Sequence, residues 1–67
     1  MNEIYDHFIC LYTNDEKFIG DFDSNGVLPN KGDIIEVAKS EVYEVSKRRI
    51  DYDVFPPLVS LYVSEFK

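Results

Sequence analysis

Apolar and polar residues alternate along most of this chain with a period of two, and the apolar positions are filled mainly by Ile, Val, Tyr and Phe. That combination predicts strands. Successive side chains of an extended chain point to opposite faces, and branched or aromatic residues pack well on a pleated surface. "EIYDHFICLY" (3–12) reads as a first strand and "KFIGDFD" (17–23) as a second, joined through the polar turn "TNDE". In the second, Phe18, Gly20 and Phe22 share one parity and Ile19, Asp21 and Asp23 the other. The glycine there suggests a bend or a close backbone approach. "DSNG" follows as a tight turn, because Asn25-Gly26 tolerates the positive φ that hairpin turns require.

The third strand is "DIIEVAK" (33–39), with Ile35 and Val37 in phase, and Lys39-Ser40-Glu41 turns the chain into a fourth, "VYEVSKRRIDYDVF" (42–55). Tyr43 and Val45 are odd whereas Ile50, Tyr52 and Val54 are even, so the apolar face changes parity across "SKRR". A regular strand cannot do that, and one inserted residue, a bulge, restores the core face while bending the strand. Pro56-Pro57 ends the segment, since proline donates no ladder hydrogen bond. "LVSLYVSEF" (58–66) is the last strand, with Val59, Leu61 and Val63 in phase. Five short strands on 67 residues predict a single small domain, residues 1–67, folded as an all-β, strongly bent antiparallel barrel.

Residues 28–63 carry a resemblance as well: "LPNKGDIIEV", then "YEVSKRRIDYD", then "VSLYV". The pattern, Leu-Pro-x-x-Gly-Asp leading into a strand and Tyr-x-Val opening the next, resembles small SH3-like β-barrel proteins of bacteria and phage. The resemblance implies an SH3-like fold and no particular activity. A five-stranded OB-like barrel is the alternative; that fold usually runs longer and sets a helix between its third and fourth strands.

Charge narrows the partners. Thirteen acidic residues against seven basic give a net charge of −6, which disfavours non-specific attraction to nucleic acid or to anionic membranes. The N-terminal stretch lacks the basic region of a secretory signal, and no apolar run approaches membrane-spanning length. With one cysteine, Cys10, neither an intramolecular disulfide nor a four-cysteine zinc site can form. A cytoplasmic protein is the expectation, without cofactor or membrane.

Candidate chemistry is sparse. "DFDSNG" (21–26) matches the opening of a calcium loop, but the twelfth position from Asp21, where a bidentate glutamate belongs, is Gly32. Pro29 lies inside that span and the flanks read as strands, so the segment reads as a turn and no metal site is expected. His7 and Cys10 would share a face on a helix, yet on a strand their parities oppose and no nucleophile–base pair forms. The carboxylate pairs Asp21/Asp23 and Asp51/Asp53 have same-face spacing on a strand, which acid–base chemistry could use only with a sheltered member of raised pKa. No catalytic residue is assigned, and the chain is not expected to be an enzyme.

What remains is a surface. The first and last strands carry apolar residues on both parities: Tyr5, Ile9 and Leu11 against Phe8, Cys10 and Tyr12, and Leu58, Tyr62 and Phe66 against Val59, Leu61 and Val63. A small barrel has one interior, so the second set needs cover from a homodimer partner, from another protein, or from its own rings lying across the barrel ends. The leading expectation is a non-catalytic protein-binding module or small inhibitor using Asp21, Asp23, Asp51, Asp53, Tyr52, Tyr62 and Phe66. The alternatives are a nucleic-acid site on Lys47, Arg48, Arg49 and Tyr43, with Tyr52 as a further stacking ring, or a small-molecule or metal-binding dimer.

Overall fold

The computed structural model describes residues 8–24 and 26–66, and among them there are five strands and no helix. They are β1 (Phe8–Thr13), β2 (Phe18–Asp23), β3 (Ile34–Ala38), β4 (Glu41–Asp51) and β5 (Leu58–Glu65). All five join one sheet in the order β2-β1-β5-β4-β3, which curls into a half-barrel. Tyr5 and His7, expected on the first strand, lie outside the described residues, as does Asn25.

The sheet is mixed, which corrects the expectation of a purely antiparallel barrel. β1 and β5 run parallel from Phe8↔Leu58 to Thr13↔Val63, while β1·β2, β3·β4 and β4·β5 are antiparallel. The reason lies in the two strands themselves. Both have a strand on either side, and interior strands of a parallel pair carry apolar residues on both parities, as these do.

The inner face of the curl holds the core: Ile9 and Leu11 of β1, Val45 of β4, and Val59, Leu61 and Val63 of β5 are all at most 2% exposed. Ile19, Phe22, Leu28, Ile35, Tyr43 and Ile50 pack against them. Fully burying an aliphatic side chain contributes roughly 1.5–3 kcal/mol, so this set is what sustains a domain with no disulfide.

Three register shifts shape the curl. On β4 the shift falls between Val45 and Lys47, leaving Ser46 as the extra residue, so Val45 and Ile50 both reach the core as the parity argument requires. On β2, Leu11↔Gly20 is followed by Tyr12↔Phe18, so Ile19 is extra. Phe18 is thereby turned to the outer face at 59% exposure, whereas Ile19 packs inward, the reverse of the faces expected from simple alternation. On β3 the extra residue is Val37. β4 ends at Asp51, so Tyr52 and Val54 are exposed loop residues and not strand positions.

"DSNG" does not close a hairpin. β2 and β3 stand at opposite edges of the sheet, and the described residues 26–33 run across the open side between them. Leu28 and the buried Pro29 anchor this crossing against the inner face, where Arg48 Nη1 donates to the Pro29 carbonyl at 3.3 Å. Gly32 N donates to Val45 O at 2.8 Å and Val45 N to Asp33 O at 2.9 Å, which lengthens the β3·β4 ladder.

Candidate functional site

Register assigns the outer face of the sheet row by row. Across β2, β1, β5 and β4 the rows are Asp23–Phe8–Leu58–Asp51, then Asp21–Cys10–Ser60–Arg49, then Phe18–Tyr12–Tyr62–Lys47. The third row is a continuous contact chain. Tyr12 meets Phe18 edge-on at 5.8 Å and stacks on Tyr62 at 5.4 Å, and Lys47 Nζ lies 4.6 Å from the Tyr62 centroid. The second apolar face foreseen for the first and last strands is therefore covered largely by its own rings, across the parallel pair.

In the second row Cys10 is 8% exposed. Burial pushes its thiol above the ordinary value of 9.0, the neighbouring Asp21 pushes it further, and a side-chain hydrogen bond with Tyr12 offsets part of the rise. A thiol so held stays protonated near neutral pH and is a poor nucleophile. Burial, together with Cys10 and Tyr62, raises the Tyr12 phenol as well.

The residues singled out from the sequence are dispersed. Asp21 and Asp23 are exposed on β2, while Asp51 is half-buried at the end of β4 and its Oδ1 accepts from Asp53 N at 2.9 Å. Three strand-to-strand steps, roughly 14 Å, separate the two pairs. Tyr52 is 74% exposed in the β4–β5 loop; Phe66 stands at the opposite end of the sheet, where its N–H donates to Val42 O at 3.0 Å. The basic run is also divided: Lys47 and Arg49 lie on the outer face, and Arg48 turns inward to Pro29 with Tyr43 packed on the core. Among the described residues no three Asp, Glu, His or Cys side chains gather into a metal-donor set.

A feature not foreseen is the gap where the barrel stops closing. The free edges of β2 and β3 face a cleft of about 740 Å³. Leu11, Ile19, Phe22, Ile35 and Val37 supply its apolar lining, and Val27 and Pro29 of the crossing segment line it as well. Asp21, Asp23, Glu36 and Glu41 border it, all exposed and none ion-paired among the described residues. Gly20 lies on its wall, where an added Cβ would meet nothing within 4 Å. Val27 and Val37, at 67% and 38% exposure, line this cleft, whereas Phe18 and Ile34 stand on the outer face of the same two edges and Tyr52, Val54 and Phe55 are exposed in the β4–β5 loop. No local pattern marks the cleft, and the close backbone approach suggested at Gly20 is not found.

No family model matches the chain, and no curated protein or solved structure matches it.

Proposed function

We propose that the protein is a non-catalytic binding module, of the kind a small inhibitor uses, and that it holds a protein partner at the open side of its half-barrel. The observation that carries this reading is the unclosed sheet, with two free edges flanking an apolar cleft bordered by exposed carboxylates. An apolar floor offers surface that a partner can desolvate, and charges at the rim steer its approach and select it. The protonated, buried Cys10 supports a role without covalent chemistry. A cytoplasmic setting belongs to the same proposal, as does an SH3-like fold, which the β3-β4-β5 meander beneath the 28–63 resemblance supports.

Nucleic acid is the second reading, because Lys47 and Arg49 share the outer face with the exposed Phe18. It is weaker: Tyr62 already has Tyr12 from β1 and Lys47 from β4 against its ring, leaving little face for a base.

The test is capture by tagged protein from lysate of its source cells. Wild type and Arg49→Gln should retain the same protein, and Gly20→Tyr, which fills the cleft, should lose it. Retention of nucleic acid at low salt, abolished by Lys47→Gln with Arg49→Gln, would replace this reading with the second. Sedimentation equilibrium on the purified chain separates a homodimer through Leu58, Tyr62 and Phe66 from a monomer awaiting another protein.

A further inference from the structure

We infer that the cleft receives an extended segment of its partner as an added strand, and that this segment alternates basic with apolar residues. The inference rests on the binding-module reading and names the chemistry of what is bound. Backbone comes first. β2 and β3 end the sheet on either side of the cleft, and among the described residues each has a ladder partner on one side only. An extended segment pairing with such an edge obtains main-chain hydrogen bonds along its length. β3 has five residues, so an added strand lying along it spans about five residues, roughly 17 Å.

Parity then dictates the side chains. Every second residue of the added strand points inward, toward Leu11, Ile19, Phe22 and Ile35, and these positions call for apolar residues. The alternate residues point outward. Asp21 and Asp23 of β2 and Glu36 of β3 occupy outer-face positions by register, on either side of the gap. Outward residues of the incoming segment therefore lie among three carboxylates that have no cation of their own among the described residues, which selects lysine or arginine. Glu41 borders the same cleft.

The edges also argue against a second copy of this chain as occupant. Neither FIGDFD nor IIEVA contains a lysine, an arginine or a proline, the residues that most often blunt an edge strand. Their guards are carboxylates and bulges, and carboxylates repel another copy carrying the same net charge of −6. The chain's basic run is not available for exchange, since β4 is paired on both sides by β3 and β5. A foreign basic strand meets no such repulsion.

The probe is the acetylated, amidated peptide Lys-Val-Lys-Val-Lys-Val-Lys, titrated into the purified chain by calorimetry and by amide NMR. Binding is expected at low salt, with slowed exchange of edge amides in Ile34–Ala38 or Phe18–Asp23. Asp21→Asn with Asp23→Asn and Glu36→Gln should weaken it on the order of tenfold, in line with several exposed charge pairs. Gly20→Tyr should abolish it, as should N-methylation of alternate peptide amides. Circular dichroism and melting confirm that each variant is folded, and the peptide-side changes need no variant at all. Equal binding by the acidic analogue Glu-Val-Glu-Val-Glu-Val-Glu, indifference to N-methylation, or no binding overturns the inference. If a cellular protein is still captured through the cleft while the basic peptide fails, the binding module stands and only the added strand falls; if Gly20→Tyr leaves cellular capture unchanged, the cleft reading falls with it.

Discussion

The middle of this sheet and its two edges are made from similar residues arranged to opposite ends. In β1 and β5 nearly every side chain is engaged: the odd positions form the inner core, and Cys10, Tyr12 and Tyr62 cover one another on the outer face. In β2 and β3 the same residue types are left more exposed, as Phe18 at 59% and Ile34 at 47% are. The buried inner face makes the centre the source of stability, while among the described residues the edges keep unpaired backbone and exposed apolar surface. Hydrophobicity alone does not tell which residues build the core; position in the strand order does.

The sharpest way to break that comparison is to truncate one aliphatic residue in each region. Leu61→Ala, at a site with no exposure, should lose about 2–5 kcal/mol and lower Tm by on the order of 10–30 °C, read by thermal melting. An equal loss from Val37→Ala at the edge would show the division to be false.

Next in size is the ring pair of the outer face. Tyr62→Leu keeps apolar bulk but removes the stack on Tyr12 and the contact with Lys47, and should lose about 1 kcal/mol in denaturant unfolding. A double-mutant cycle with Tyr12→Leu should give a favourable coupling between the two rings. Additive losses would mean that the outer face of the centre is covered without being stabilised.

Titration sharpens the same point. The Cys10 thiol is raised above 9.0 and the Tyr12 phenol above 10.0, so the folded chain holds these protons more tightly than the unfolded chain does. Their contribution is fully present below those ordinary values and is lost as pH rises through the folded ones, so stability should fall in alkaline solution. Cys10→Ala should flatten part of that decline. A curve of unchanged slope would remove the thiol from the account. The smallest effect is expected from Val37→Ala itself, within about 0.5 kcal/mol, as for surface positions generally.

The strands were legible because β-branched and aromatic residues recur at period two, and the β4 bulge because two in-phase apolar residues precede it and three of opposite parity follow. The bulge at Ile19 was hidden. "FIGDF" reads as a regular alternation with two phenylalanines in phase, and only the pairing of Tyr12 with Phe18 shows the extra residue. The parallel pairing of β1 with β5 left a visible mark, apolar residues on both parities, but that mark is shared by a dimer face and by a central strand. The grouping of the acidic residues was not legible: the fold brings Asp21 and Asp23 to the cleft with Glu36 and leaves Asp51 and Asp53 away from it. Cleft and site depend on which edges face each other, a relation between distant segments that local pattern does not encode.

That β1 lies against β5 also governs when the chain can fold. Phe8 pairs with Leu58, fifty residues later, and the core joins the first described strand to the last. Pairings of such separation slow folding, toward the millisecond-to-second range for domains of this size, because a long loop must close before its contacts contribute. During synthesis β1 emerges before the other four strands and has only β2 to pair with until β5 has emerged. Folding of this domain therefore waits on β5, and a chain stopped short of Leu58 would lack the strand that joins β1 to β4.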